Sequence, residues 1–149
     1  MQNRIAATLL LVLLACAAPA QERKVISPPE FGAQGSDRIP FSPGILQGDT
    51  LYVSGEIGAD LKTRKIPADF ETEVRTCLEN IRIILKAAGM DYSNVVSVQV
   101  YLTDMSLFAR MNKVYAEVFK APRPTRTTVG VTALAVPEAH VEMTVIARK

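Results

Sequence analysis

The strongest constraint on the fold of this chain is a change in the spacing of its apolar residues near residue 90. Between Ala68 and Ala88 they recur every three or four positions, which predicts an amphipathic helix that ends at Gly89, where a C-capping glycine belongs. From Asn94 to Leu102 apolar and polar residues alternate, which is the period of a half-buried strand. A helix followed by a strand is therefore predicted. The apolar positions of the helix are Phe70, Val74, Cys77, Leu78, Ile81, Ile84, Leu85 and Ala88.

A second helix and two more strands are predicted after this pair. Asp104 is a suitable N-cap for the helix, and Pro122 and Pro124 stop it. Residues 125–132 and 140–147 are then typical of strands, because β-branched residues are frequent in both.

Two short strands are also predicted before the first helix, at residues 39–46 and 51–54, and prolines place the first of them at a sheet edge. The order ββαβαββ predicts an α+β fold with a mixed sheet and both helices packed on one face. The other face of the sheet would be bare in a monomer. A large apolar face of that kind favours an interface with another chain.

The size of the chain fits one domain. It has 149 residues and 48% hydrophobic content, which suits a single core of ordinary size at residues 38–149. Residues 21–37 contain Pro28-Pro29 and two glycines without any apolar period. They are predicted to be a linker or an extended arm.

The first 20 residues have the pattern of a secretory signal peptide. An apolar run at residues 5–15 precedes Ala18-Pro19-Ala20, which is an A-x-A cleavage site, and the run is shorter than a membrane-spanning helix. Leu13-Leu14-Ala15-Cys16 also resembles a bacterial lipoprotein box, in which Cys16 would carry a lipid anchor. Leu14 is unusual in that box, so cleavage after Ala20 is favoured. Both alternatives predict an exported protein, periplasmic or secreted, without a membrane span.

The remaining cysteine and the net charge exclude some classes of protein. After cleavage only Cys77 is left, so no disulfide can form within one chain, and its place on the apolar helix stripe favours packing over catalysis. The formal charge is +2, and no basic run stands out. Nucleic acid is therefore not the partner that the composition indicates.

Arg126 and Glu142 are the first candidates for chemistry. Each lies among β-branched and apolar residues of a predicted strand, where an unpaired charge is costly to bury. The guanidinium of Arg126 can bind a carboxylate through two hydrogen bonds, and a partly buried Glu142 can activate a water. The alternatives are a solvent-exposed Arg126 or a structural ion pair between the two residues.

Other polar residues have weaker signals. Asn112 lies close to the apolar stripe of the second helix and can bind either a ligand or a neighbouring backbone group. Ser54 and Gly55 end a strand, where a glycine permits close approach of the backbone. His140 is the only histidine, so a metal site and a Ser-His-Asp triad both lack parts.

Several short motifs occur in a characteristic order between Arg38 and Arg148. They are Leu51-Tyr52-Val53-Ser54-Gly55-Glu56-Ile57-Gly58, Leu78-Glu79-Asn80-Ile81, Ala87-Ala88-Gly89-Met90, Asn112-Lys113-Val114-Tyr115, and Pro124-Thr125-Arg126 with Val141-Glu142-Met143. In this order and spacing they resemble the reactive-intermediate deaminase family, RidA/YjgF, which comprises the enamine and imine deaminases. The resemblance covers nearly the whole predicted domain.

The resemblance implies a chorismate-mutase-like fold, assembled as a homotrimer with ligand clefts between subunits. It implies that Arg126 binds the carboxylate of a 2-imino or 2-enamino acid and that Glu142 handles the attacking water. The products would be a 2-keto acid and ammonia, with no metal or organic cofactor. Ser54, Gly55 and Asn112 would line the cleft, with Asn112 facing it from an adjacent subunit.

Three positions depart from the family pattern. Phe41 stands where tyrosine is common, Thr128 where many members have cysteine, and Glu56 where glutamine is frequent. Phe41 and Thr128 are still expected to contact the substrate. Because Arg126 and Glu142 remain, these departures bear on substrate range and rate more than on the class of reaction.

Two functions are thus predicted from the sequence. The first is hydrolytic deamination of 2-enamino or 2-imino acids by Arg126 and Glu142. The second is a non-catalytic protein on the same trimer that binds small carboxylates or acts as a holdase under stress. Ribonuclease activity, reported for some relatives, fits poorly with an exported and nearly neutral chain.

Overall fold

The computed structural model describes residues 22–32 and 40–149. The predicted signal peptide, and residues 21 and 33–37 of the predicted linker, lie outside the described residues. The described elements are β1 (Arg23–Ile26), β2 (Gly44–Gln47), β3 (Thr50–Val53), β4 (Glu56–Ile57), α1 (Phe70–Ala87), β5 (Val95–Leu102), α2 (Phe108–Val118), β6 (Thr125–Gly130) and β7 (Val141–Arg148).

The described strands form one mixed sheet in the order β1-β2-β3-β7-β5-β6, with β4 also paired to β7. Strand β7 lies at its centre, because it pairs antiparallel with β3, β4 and β5. Strands β5 and β6 are parallel and are joined by α2. The α+β fold with two helices on one side of a mixed sheet is as predicted.

The sheet begins earlier than the predicted domain start near Arg38. Residues 23–26, which were predicted to belong to a linker or arm, form β1 and pair antiparallel with β2. Phe31, a few residues later, is only 5% exposed and joins the core. The spacing of apolar residues does not predict β1, because Arg23, Lys24 and Val25 are all exposed. Backbone hydrogen bonds to β2, which any sequence can form, hold this edge strand.

Two element boundaries also differ from the predicted ones. The strand predicted at residues 39–46 is described as Gly44–Gln47, since Pro40 and Pro43 lack the N–H groups that pairing needs. Asp104 does cap a helix, but it caps a 3-10 turn at Met105–Leu107 that leads into α2.

Helix α1 shows why the sequence pattern was informative. Its N-cap Asp69 accepts a hydrogen bond from the Thr72 backbone N–H at 2.8 Å, and the chain leaves the helix through Gly89 at φ +72°. The apolar stripe of the helix is almost fully buried against the sheet. We call the helix-covered side of the sheet the inner face and the opposite side the outer face.

Strand β7 alternates strictly between these two faces. Val141, Met143 and Val145 are buried on the inner face, so Glu142 and Thr144 lie on the outer face. The outer face also carries large apolar side chains that are partly exposed, among them Tyr52 at 50% and Val129 at 41%. No helix among residues 22–32 and 40–149 is long and apolar enough to span a membrane.

One buried carboxylate ties α1 to the start of β7. Glu73 is fully buried and accepts hydrogen bonds from the backbone N–H groups of His140 (2.7 Å) and Val141 (3.2 Å). The His140 ring nitrogen Nδ1 lies 2.9 Å from the other carboxylate oxygen. Glu73 therefore fixes the residues that immediately precede Glu142.

We expect Glu73→Ala to lower the free energy of unfolding by about 2–4 kcal/mol, because it leaves buried donors without partners and opens a cavity. Urea denaturation followed by circular dichroism measures this. Glu79→Ala is the matched control, since Glu79 lies on the exposed side of α1, where Arg82 is its one ion-pair partner among residues 22–32 and 40–149. Equal unfolding midpoints for the two variants would show that Glu73 contributes nothing as a tether.

Candidate functional site

A cavity of about 510 Å³ opens beside the end of β3 and the short strand β4. It extends from Glu142 on the outer face around β4 to Asn80 on α1. Its volume suits a small metabolite. Four predicted site residues line it, namely Phe41, Ser54, Gly55 and Glu142. We call these four residues the cavity cluster.

The position of Glu142 depends on Gly55. A Cβ atom at Gly55 would lie 2.0 Å from Glu142 Oε1 and 2.8 Å from its Cδ. The two residues are adjacent because β4 begins directly after Gly55 and pairs its Ile57 with Glu142. Only a glycine leaves room for the carboxylate against the backbone at this point.

Ser54 and Phe41 belong to the wall of the cavity. The Ser54 hydroxyl donates a hydrogen bond to the Ser42 carbonyl oxygen at 2.6 Å, and its backbone N–H donates to the Pro43 carbonyl oxygen at 2.9 Å. These bonds hold the segment that carries Phe41, a residue that is 54% exposed. Within one chain, Ser54 therefore shapes the wall.

The cavity also contains a second carboxyl group, that of Glu56. Burial raises the pKa of Glu56 to about 8; the charge of Glu142 adds to the shift and that of Arg64 opposes it. Burial likewise raises the pKa of Glu142 above its usual range. Glu56 was not among the predicted site residues, although its place after Gly55 and its departure from the common glutamine were visible in the sequence.

The remaining predicted residues form a separate group on β6 and α2. The Arg126 guanidinium carbon lies 4.5 Å from the ring centre of Tyr115 and 5.7 Å from that of Phe108. Thr128 follows on the same strand face, and Asn112 lies on α2 about one turn after Phe108 and one turn before Tyr115. We call Asn112, Arg126 and Thr128 the arginine cluster.

Two hydroxyl groups beside Arg126 lack partners. The Tyr115 and Thr128 hydroxyl oxygens are buried and have no hydrogen bond within the part of the chain that the structure describes. Burial also raises the pKa of Tyr115, against the opposing charges of Arg126 and Arg123. Buried polar groups of this kind are unusual, and they leave hydrogen bonds available beside the guanidinium.

The cavity cluster and the arginine cluster lie on opposite faces of the sheet. Arg126 is in register with Val98, which is buried on the inner face, whereas Glu142 is in register with Tyr101 on the outer face. Among the described residues, no ion pair joins Arg126 to Glu142. The alternative of a structural ion pair between them within one chain is therefore wrong.

Comparisons with known proteins agree with the fold. The family model described as Endoribonuclease L-PSP matches residues 35–149. A RutC family protein of Sulfurisphaera tokodaii is 44% identical over 111 residues, which cover 74% of this chain and 88% of that protein. The crystal structure of RidA from an Antarctic Psychrobacter species has a TM-score of 0.73 at 30% identity, covering 89% of this chain and 100% of that one.

The chain belongs to the RidA/YjgF family. Another member, the Escherichia coli protein TdcF, is provisionally named a reactive intermediate deaminase and is 36% identical over 98 residues, 64% of this chain and 76% of TdcF. The crystal structure of TdcF with bound serine has a TM-score of 0.75 at 31% identity, covering 85% of this chain and 98% of that one. The family predicted from the sequence motifs is thus confirmed.

The contacts of Cys77 and His140 bear on the roles predicted for these two residues of this RidA/YjgF chain. Cys77 is buried, and its Sγ lies 3.1 Å from the Glu56 carbonyl oxygen, so the predicted packing role is confirmed. His140 contacts Glu73 and the edge of the Phe70 ring. Among the described residues, no group of three or more His, Cys, Asp or Glu side chains could hold a metal ion.

The contact between Gly55 and Glu142 leads to a structural prediction. We expect Gly55→Ala to move the Glu142 carboxylate by at least about 1 Å, because nonbonded atoms need about 3.5 Å of separation. The unfolding midpoint should change little, since the carboxylate is the flexible end of its side chain. A crystal structure of the variant measures the shift, and an unmoved Glu142 would contradict the tight fit.

Proposed function

We propose that this protein hydrolyses 2-imino and 2-enamino acids to 2-keto acids and ammonia. The observation that carries the proposal is the Glu142 carboxylate, held against Gly55 in a cavity of metabolite size with a raised affinity for protons. Membership of a family that includes TdcF supports the same reaction class. Glu142 is the base that orients and deprotonates the attacking water.

Arg126 is proposed to bind the substrate carboxylate. The rings of Tyr115 and Phe108 hold the guanidinium in place, so little side-chain entropy is lost when it binds an anion. The free hydroxyl groups of Thr128 and Tyr115 can donate to the same carboxylate. Asn112 is proposed to contribute its amide from the neighbouring turn of α2.

The two clusters require more than one chain to act on one substrate. Because Arg126 and Glu142 point to opposite sheet faces, we propose that Glu142 of one copy meets Arg126 of another. The exposed apolar side chains of the outer face, including Tyr52 and Val129, give such an assembly a surface to bury. The proposed assembly is a homotrimer with one site at each subunit boundary.

Arg126→Ala is expected to lower kcat/KM by about 100-fold, because charge-assisted hydrogen bonds contribute about 1.5–3 kcal/mol each. Glu142→Gln is expected to lower kcat by about 100-fold or more while leaving KM similar. The assay is ammonia release from imino acids that an amino-acid oxidase generates in situ. Arg110→Ala is the control, since Arg110 pairs with Glu71 on the exposed helix surface. Full activity of Arg126→Ala would exclude the proposed role.

Mixing the two inactive variants tests where the site lies. Co-expressed Arg126→Ala and Glu142→Gln subunits should recover about a quarter of the wild-type activity, because about a quarter of randomly formed subunit boundaries then hold both intact residues. A site contained within one chain would give no recovery. Gel filtration and light scattering confirm that the variants still assemble.

A second candidate function is binding of a small amino or keto acid without turnover. The observation that favours it is the serine bound to the related TdcF. Isothermal calorimetry that shows keto-acid binding, in a preparation that releases no ammonia, would select this function. Endoribonuclease activity, named in the family description, would be favoured only by cleavage of RNA that the Glu142→Gln variant lacks.

We also propose that the protein acts after export and removal of residues 1–20. The described fold supports the cleavage site, because β1 begins at Arg23 and so remains complete after cleavage behind Ala20. The intact mass of the protein recovered from its own cells should correspond to a chain that starts at Gln21. A mass for the full chain would contradict export, and a lipid on Cys16 would establish the lipoprotein alternative.

A further inference from the structure

The cavity beside β4 has two parts, because β4 sends its side chains to both faces of the sheet. Ile57 is in register with Glu142 on the outer face, whereas Glu56 is in register with Met143, which is buried on the inner face. The proposed reaction uses the outer part. We call the residues that line the inner part the inner recess, and they are Phe31, Glu56, Leu61, Arg64 and Asn80.

Glu56 is a buried acid without a partner for its carboxyl group. The residue is only 9% exposed. In the part of the chain that the structure describes, no hydrogen bond or ion pair engages the carboxyl group, although the backbone carbonyl oxygen of Glu56 accepts a hydrogen bond from the Cys77 thiol. Buried carboxyl groups normally have partners, because their removal from water is costly. A ligand in the recess would supply the missing one.

Arg64 lies where the recess opens to solvent, and a tight turn holds its backbone. The Asp60 backbone N–H donates to the Lys65 carbonyl oxygen at 3.0 Å, and the Asp60 carboxylate accepts from the backbone N–H groups of Lys62 (3.1 Å) and Thr63 (2.7 Å). Arg64 itself has φ +61°, an unfavourable value for a residue other than glycine. No ion pair joins it to another described residue. Its guanidinium is therefore available to bind an anion.

Glu56 and Arg64 carry opposite charges but do not touch. Arg64 is near enough to lower the pKa of Glu56, yet their charged atoms are more than 4.0 Å apart, since no ion pair joins them. Asn80 donates its two amide hydrogens to the carbonyl oxygens of Ile57 (3.1 Å) and Ala59 (2.9 Å). Its amide oxygen is left to accept a hydrogen bond from a ligand. The recess thus offers a cationic donor and, apart from it, two acceptors.

We propose that the inner recess binds a zwitterionic 2-amino acid with an apolar side chain. The ligand carboxylate accepts hydrogen bonds from the Arg64 guanidinium, and the ligand ammonium donates to Glu56 and to the Asn80 amide oxygen. The ligand side chain packs against Phe31 and Leu61, which belong to the edge of the apolar core. This binding site is distinct from the proposed deaminase site and uses none of its residues.

The charges around Glu56 give the binding a pH dependence. Burial raises the pKa of Glu56 to about 8, the carboxylate of Glu142 on β7 adds to the shift, and Arg64 opposes it. On α1, the Cys77 thiol is neutral because burial raises its pKa, and the Glu73 carboxylate is hydrogen-bonded to the start of β7. The empty recess therefore holds a neutral Glu56 at pH 7, and a ligand ammonium favours the ionised form. Binding at this pH releases a proton.

Isothermal calorimetry with L-leucine tests the site in an Arg126→Ala background, which removes the anion-binding residue of the proposed reaction. We expect one L-leucine per chain, and an affinity at least about tenfold lower when Arg64→Ala or Glu56→Gln is added, because each loses a charge-assisted hydrogen bond. Glutamine is frequent at position 56 in the family, so Glu56→Gln should fold. Lys65→Ala, which removes a neighbouring exposed charge, is the control and should bind normally. Undiminished affinity in either recess variant, or no binding at all, would overturn the inference.

Two further titrations identify the ammonium contact. The affinity for L-leucine should rise up to about tenfold per pH unit between about pH 6 and 8 and then level off, because Glu56 is by then already ionised. Glu56→Gln should show no such rise. The matching keto acid, 4-methyl-2-oxopentanoate, lacks the ammonium and should bind the Arg126→Ala protein at least about tenfold more weakly. Equal affinity for the two ligands would contradict the contact.

Ammonia release by the wild type separates this inference from the proposed function. Imine turnover by a protein whose Arg126→Ala variant binds no L-leucine would overturn the recess site alone. L-leucine binding that depends on Arg64 and Glu56, in a protein without turnover, would support the recess site and overturn the deaminase function.

Discussion

The central position of β7 is the constraint on which the rest of the structure depends. This strand is hydrogen-bonded to β3, β4 and β5, so its register is fixed from both sides. A shift by one residue would turn Val141, Met143 and Val145 out of the core and bury Glu142 among the helices. Burial of the apolar face of β7 therefore also holds the Glu142 carboxylate on the outer face.

The same constraint divides the candidate site between two sides of the sheet. Pairing of β6 with β5 places Arg126 on the inner face near α2, where aromatic rings hold it. No side-chain rotation brings it to Glu142 through a packed sheet. Under the proposed function, one chain thus holds the proposed base on one face and the proposed anion-binding residue on the other, so the proposal places a complete site between two copies.

The parts predicted correctly are those with a local physical signal. Helix α1 was predictable because its apolar stripe and its closing glycine agree, and β7 because it alternates. The candidate site was harder. Placement of Gly55 next to Glu142 depends on pairing between β4 and β7, which are separated by more than 80 residues, and β4 has only two residues. Edge strand β1 and the hydrogen bonds between Glu73 and His140 likewise depend on contacts between residues that are far apart in the sequence. The spacing of apolar residues along the chain does not predict such contacts.

Glu56 illustrates how a fold changes the chemistry of a residue that the sequence shows plainly. In an exposed turn its carboxyl group would be ionised at neutral pH, but burial beside Glu142 favours the neutral acid.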